Sequence, residues 1–131
     1  KRHGTSSRLI ACFEPRSNTS RGTTFQGAFA CAFGAADEVH LAPVYGAQNT
    51  DRKNCLDTEL LAESIMQETP PTTAHGYTCN SDLLHALLEK RAGETSESRS
   101  PEHVVVFFSN GSFDGIPHQF TEEIAKNMSK A

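Results

Sequence analysis

Two short polar segments carry most of the side chains in this sequence that could do chemistry. The first is EPRSNT at 14–19, and the second is SNGSFDG at 109–115. The first segment offers a guanidinium, a carboxamide and hydroxyl groups, a set suited to binding a carboxylate or a phosphate. Each segment follows an apolar run, so each is predicted to leave the carboxyl end of a buried strand, where α/β sheets bind ligands. The pair therefore predicts an anion-binding site at one sheet edge.

The elements that would position these loops alternate between strand and helix. Strands are predicted at 9–13, 38–41, 74–79 and 104–108, and helices at 23–33, 56–67, 81–92 and from 117 onward. The runs 9–13 and 104–108 are continuously apolar, so both are expected to be inner strands. This alternation predicts an α/β fold: a three-layer, Rossmann-like domain with a mainly parallel sheet flanked by helices.

Size and charge narrow the function classes. The chain has 131 residues, a net charge of −4 and 37% hydrophobic residues, which suits one globular domain. The negative net charge argues against binding to nucleic acid or to an anionic membrane surface. No apolar run in the sequence is long enough to cross a bilayer. A monomer is expected. The chain opens on Lys1 rather than Met, so a piece of a longer protein is expected.

The cysteines and histidines predict neither a metal site nor a catalytic nucleophile. The spacing contains no CxxC, no Cys/His cluster and no HExxH pattern. Cys12 and Cys31 lie inside apolar segments and are predicted to be small core residues. Without a secretory signal, a reducing cytoplasm is the expected location.

Each loop residue has a structural alternative beside the functional one. Arg16, helped by Arg21, is either an anion clamp or half of a surface ion pair, and the residues alone do not decide between these. Asn18 and Thr19 are either ligand contacts or caps of the next helix, with capping the commoner outcome. Gly34 is expected to end that helix as its C-cap.

The second loop leaves similar choices open. Gly111 and Gly115 either belong to a turn whose backbone N–H groups bind an anion or are simply residues that permit positive φ, and the second alternative is favoured. Phe113, between two glycines, either packs on the core or lines a pocket. The loop lacks the GK[ST] of a P-loop, so no nucleoside triphosphate site is predicted there.

A family resemblance rests on both loops. The stretches RLIACFEPRSNT (8–19) and VVVFFSNGSFDGI (104–116) resemble the C-terminal domain of the Mur ligase superfamily, within it the murein peptide ligases. The segment ADEVHL at 36–41 is similar to that domain's second strand. Ligases that add a single alanine tend to carry His-Arg after the proline, where this chain has Arg16-Ser17, and this difference favours the peptide-adding branch.

The resemblance implies a three-domain enzyme of peptidoglycan recycling, of which 1–131 would be the peptide-substrate domain. Such an enzyme uses ATP and Mg²⁺, held mainly by domains not in this sequence, to join UDP-N-acetylmuramate to L-alanyl-γ-D-glutamyl-meso-diaminopimelate, with tetra- and pentapeptides as further candidates. The superfamily's P-loop and AHHP segment do not occur among these residues. The fragment is therefore expected to bind no cofactor and to be inactive alone.

The resemblance also implies roles for individual residues. Those expected to contact substrate are Arg16, Asn18, Thr19, Arg21, Tyr45, Asn110, Gly111 and Phe113, with Asn49 a weaker candidate; no residue here is assigned a catalytic or metal-binding role. The rival hypothesis is a free-standing, non-catalytic α/β module that binds an anionic metabolite.

Overall fold

Strands and helices alternate in the computed structural model, which describes residues 7–47, 52–68, 72–92 and 102–130. Asn49 lies outside the described residues. The strands are β1 (Ser7–Phe13), β2 (Glu38–Leu41), β3 (Thr73–Gly76) and β4 (Glu102–Phe108). The helices are α1 (Gln26–Ala32), α2 (Thr58–Gln67), α3 (Asn80–Ala92) and α4 (Ile116–Ser129).

The four strands form one sheet of order β3-β2-β1-β4, in which every neighbouring pair is parallel. β1 is an inner strand, as its continuous apolar sequence predicts. Its alternate residues face opposite layers: Ala11 and Phe13 belong to one core cluster, and Ile10 and Cys12 to the other. Burial on both faces explains why the strand has no polar side.

Helices cover both faces of this sheet. On one face, α1 and α2 contribute Ala30, Leu61 and Ile65 to the core. On the other, α3 and α4 contribute Leu83, Leu87, Ile116 and Phe120. The fold is therefore the predicted α/β domain with a parallel sheet between two helical layers.

β4 departs from the prediction. Within the described part of the chain it pairs with β1 alone and forms the edge of the sheet. Val104 is 44% exposed and Phe108 is 48% exposed. The expectation that 104–108 is an inner strand is therefore wrong. An apolar run shows that a segment favours a strand, but it does not show how many strands lie beside it.

Local signals set most helix ends. The Asp57 side chain accepts a hydrogen bond from the Leu60 amide (2.9 Å) and so caps α2. Pro117 lies in the first turn of α4, where its missing N–H costs nothing. Gly34 is not a C-cap, because α1 ends at Phe33 in right-handed geometry and continues into a 3₁₀ turn.

The region around α1 also corrects the expectations for helix capping and for Cys31. Neither Asn18 nor Thr19 caps a helix, because the turn that leads into α1 begins after Gly22. Cys12 is buried as predicted, whereas Cys31 lies on the exposed side of α1. Among the described residues, no helix is long and apolar enough to span a membrane.

Candidate anion-binding site

The loops after β1 and β4 lie side by side at the carboxyl edge of the sheet. Phe13 and Phe108 are register partners at the strand ends, and the Glu14 amide donates to the Phe108 carbonyl (3.0 Å). β1 connects onward to β2 on one side, while β4 returns to its other side. This reversal of strand order is where open α/β sheets form a ligand crevice.

Glu14 ties the two loops together. Its side chain is buried, with only 1% of its surface exposed, and its Oε1 accepts a hydrogen bond from the Ser109 hydroxyl (2.6 Å). The Gly111 amide in turn donates to Ser109 Oγ (3.0 Å). A buried carboxylate needs such partners, so this chain of contacts fixes the start of the β4 loop against the β1 loop.

Arg16 extends over this junction. Its Nη1 lies 3.7 Å from Glu14 Oε1, and its Cζ lies 3.8 Å from the centre of the Tyr45 ring. The guanidinium therefore makes a cation–π contact with the loop after β2 while facing a carboxylate of the loop after β1. With 27% of the side chain exposed, donors remain for an incoming anion.

Arg21 has a different environment. Its Nη2 donates to Asn18 Oδ1 (2.5 Å), and its Nη1 donates to the Tyr45 carbonyl (3.3 Å). Its own carbonyl accepts from the Leu56 amide (2.6 Å). Arg21 thus connects the β1 loop with the segments that follow β2, and part of its hydrogen-bonding capacity is used within the protein.

Two cavities adjoin this loop cluster. One, of about 480 Å³, lies between the β1 and β4 loops. Its lining combines polar residues with four phenylalanines: Glu14, Ser17, Thr19, Ser20, Ser109 and Asn110, and Phe13, Phe29, Phe107 and Phe108. The other, of about 370 Å³, lies between the β2 loop and the start of α3, and Tyr45, Asn80 and Asp114 contribute to its wall. Glu14 borders both cavities, so it lies at the centre of the site.

Phe113 does not line either cavity. It is 1% exposed and packs edge-on against Phe107, with ring centres 5.6 Å apart. Of the two alternatives for its side chain, packing on the core is therefore the one observed, and contact of the backbone around Phe113 with substrate stays a prediction. Phe113, Asp114 and Gly115 all have positive φ (52°, 49° and 75°), so this turn aims the phenyl ring inward and starts α4. Gly115 thus has the positive φ that was expected, whereas the same expectation is wrong for Gly111, whose φ lies outside the left-handed region.

The predicted residues therefore separate into three groups. Arg16, Tyr45 and Gly111 meet at one place, and Thr19 and Asn110 line the neighbouring cavity. Asn18 and Arg21 bind each other. Sequence reasoning missed Glu14 and Ser109, whose only signal was their position directly after the two strands.

A second polar cluster runs along β2, from Glu38 at its amino end to His40 near its carboxyl end and Tyr77, the residue after β3. Glu38, the first residue of β2, is 3% exposed. Its Oε1 contacts His40 Nε2 (2.9 Å), and its Oε2 pairs with Lys90 and lies 3.9 Å from Arg8 Nη2. His40 Nδ1 in turn meets the Tyr77 hydroxyl (2.7 Å).

The surroundings of Glu38 stabilise its charged form. The hydrogen bond from His40, followed by that from Lys90, lowers the pKa of Glu38 to about 2, against the opposing effect of burial. Burial, together with the Glu38 charge, raises the pKa of Tyr77 to about 12. Since Glu38 and His40 are buried and bonded within the cluster, we attribute it to stability rather than chemistry. Over the described ranges, no group of three or more His, Cys, Asp or Glu residues could hold a metal ion.

Known proteins that resemble this chain in sequence or fold are ligases. No protein-family model matches the chain. A UDP-N-acetylmuramate–L-alanine ligase of Synechococcus sp. (strain CC9311) is 29% identical over 119 residues, which is 91% of this chain and 23% of that protein. The ligase of the same name from Saccharopolyspora erythraea is 45% identical over 85 residues, 63% of this chain and 16% of that protein.

The fold has a solved counterpart. The murein peptide ligase Mpl from Psychrobacter arcticus 273-4 superposes with a TM-score of 0.61 and 19% identity, covering 90% of this chain and 22% of that one. The chain thus spans less than a quarter of each of these proteins. The chain is thus similar in sequence to UDP-N-acetylmuramate–L-alanine ligases and in fold to a murein peptide ligase.

Proposed function

We propose that this chain is the C-terminal, peptide-substrate domain of a three-domain, ATP-dependent ligase that joins UDP-N-acetylmuramate to L-alanyl-γ-D-glutamyl-meso-diaminopimelate in peptidoglycan recycling. The observation that carries the proposal is Arg16. It lies at the switch point of the sheet, contacts Glu14 and the Tyr45 ring, and keeps 27% of its side chain exposed. The acceptor peptide is rich in carboxylates, which a guanidinium binds in a bidentate manner.

Two observations support a peptide acceptor over alanine. The structural neighbour is a murein peptide ligase, and Arg16-Ser17 stands where alanine-adding ligases tend to have His-Arg. The names of the two sequence relatives favour alanine as the second candidate. A peptide is longer than alanine and presents more carboxylates, so two cavities that both border Glu14 suit the longer acceptor better.

The proposed role of this domain is binding and orientation. Arg16 would pair with an acceptor carboxylate or a phosphate when the domains close, while Thr19 and Asn110 would add hydrogen bonds from the neighbouring cavity. ATP and Mg²⁺ supply the activation of the muramyl carboxylate, and they would be bound by the rest of the protein. The described residues offer no metal-binding group, so no step is assigned here to a metal on this chain. A cytoplasmic location follows from the proposed substrates.

The test is a product assay on the full-length protein. Purified enzyme is given UDP-N-acetylmuramate and ATP with either the tripeptide or L-alanine, and the products are identified by mass spectrometry. We expect the tripeptide adduct, with phosphate released in equal amount. Formation of the alanine adduct alone would favour the second candidate, and no adduct with either acceptor would refute both.

A further inference from the structure

The Arg16 side chain lies where a β-carbon on Gly111 would have to be. A β-carbon placed on Gly111 would lie 2.5 Å from Arg16 Cδ and 2.7 Å from its Cζ. Side-chain carbons do not approach this closely, so the Arg16 side chain occupies space that any other residue at 111 would need. The φ of Gly111 lies outside the left-handed region, which means that the backbone itself would accept a side chain there.

Two further residues, Tyr45 and Glu14, contact the Arg16 guanidinium. The Tyr45 ring lies on one side, 3.8 Å from Cζ, and the buried Glu14 carboxylate faces Nη1 at 3.7 Å. Each contact comes from a different loop: Glu14 from the β1 loop, Tyr45 from the β2 loop and Gly111 from the β4 loop. Because the Ser109 hydroxyl links Glu14 to the Gly111 amide, the carboxylate and the glycine are held relative to each other.

We propose that Gly111 and Glu14 are positioning residues that form a seat for Arg16, and that the seat fixes the guanidinium in the direction required to bind the acceptor. Gly111 has no side chain and so leaves space for the Arg16 side chain. The Glu14 carboxylate attracts the guanidinium and fixes where it lies, and the Tyr45 ring packs against it. The proposal rests on the proposed function for its consequence, but not for the seat itself.

A fixed guanidinium should bind the acceptor with a smaller loss of side-chain entropy. An arginine that is free to rotate loses side-chain entropy each time it binds, whereas a seated arginine has lost it on folding. Misplacing a binding group by about 1 Å can lower turnover by roughly a hundredfold. We therefore expect loss of the seat to resemble loss of Arg16 itself, although the charge is still present.

The first experiment measures the seat without any activity. The full-length protein and its Gly111→Ala and Glu14→Gln variants are treated with phenylglyoxal, and the rate of Arg16 modification is followed by peptide mass mapping. Arg16 should react several-fold faster in both variants than in the wild type. Arg8, at the other end of β1, serves as the internal control and should react at an unchanged rate. An unchanged Arg16 rate in Gly111→Ala would overturn the proposal.

The second experiment connects the seat with turnover. We compare kcat/KM for the acceptor in the wild type, Gly111→Ala, Arg16→Ala and the double variant. Gly111→Ala should lower kcat/KM by about tenfold to a hundredfold, and it should have almost no further effect once Arg16 is alanine. Circular dichroism and thermal melts confirm that Gly111→Ala is folded, as expected for an exposed loop position.

The outcomes separate the two proposals. Independent, additive losses from Gly111→Ala and Arg16→Ala, or a Gly111→Ala enzyme with full activity, would overturn the positioning role. If the wild-type protein adds neither alanine nor a peptide, the proposed function fails, and the phenylglyoxal rates still decide whether the seat exists.

Discussion

Replacing Glu38 by glutamine should destabilise the protein in a pH-dependent way. The carboxylate is buried at the amino end of β2 and contacts His40, Lys90 and Arg8. Glutamine keeps the size and can still accept a hydrogen bond, but it leaves the cationic groups without their counter-charge. Breaking a buried pair in this way is strongly destabilising.

The magnitude follows from the pKa of Glu38. Its value falls from 4.5 to about 2 on folding. At about 1.4 kcal/mol for each pKa unit, the ionised carboxylate stabilises the folded protein by roughly 3 kcal/mol. Because the folded pKa is the lower one, this contribution is fully present above pH 4.5 and is lost as the pH falls from 4.5 towards 2.

The assay is urea unfolding of wild type and Glu38→Gln at a series of pH values between 7 and 2.5. The difference in unfolding free energy should be about 3 kcal/mol at pH 7 and should decrease steadily below pH 4.5. Glu123→Gln is the matched control, because Glu123 also pairs with a lysine, Lys126 at 2.7 Å, but on the exposed surface of α4. It should have no measurable effect.

Two results would contradict this reasoning. A Glu38→Gln protein as stable as the wild type at pH 7 would mean that the cost of burying the charges cancels their attraction. A difference that stays constant down to pH 2.5 would mean that glutamine disturbs packing, and that the charge of Glu38 is not the cause.

Further predictions concern the core and the cysteines. Phe113→Ala should lower the free energy of unfolding by about 3–5 kcal/mol because it removes a buried ring that packs on Phe107, and urea titration would show it; a loss below about 1 kcal/mol would indicate a surface role. In the native protein, Cys31 should react quickly with a thiol reagent, whereas Cys12 should react only after unfolding, since burial raises its pKa to about 12. Fast labelling of Cys12, followed by mass spectrometry, would contradict that expectation.

The fold was largely predictable because its signals are local. Alternating apolar and amphipathic segments predict the order of strands and helices, and a buried run such as 9–13 has few alternatives. The edge position of β4 was not predictable, because it depends on which strands lie beside it. Gly34 shows the same limitation: the sequence marks a helix end nearby, but the backbone leaves α1 without the left-handed turn that glycine would allow.

The candidate site was predictable in location but not in detail. Two polar loops after two apolar runs predict a shared sheet edge, and the structure places them there. That Arg21 binds Asn18 instead of facing an open cavity, or that Phe113 points inward, depends on contacts between segments far apart in sequence. Glu14 was missed because a carboxylate after a strand usually lies in solvent, whereas here it is buried and accepts a hydrogen bond from Ser109.

Steady-state kinetics of Arg16→Ala in the full-length protein would test most directly whether this sheet edge binds the acceptor. Loss of one partner from a desolvated charged contact costs about 2–5 kcal/mol, so kcat/KM for the acceptor should fall by about thirtyfold or more. Thermal melts should show a much smaller loss of stability, because the arginine is partly exposed and Glu14 keeps its hydrogen bond from Ser109 when Arg16 is removed. Arg91→Ala, on the exposed last turn of α3, is the control and should leave both unchanged. A near wild-type kcat/KM in Arg16→Ala, or a loss of activity only in proportion to lost folded protein, would show that Arg16 is a structural residue and that the acceptor binds elsewhere.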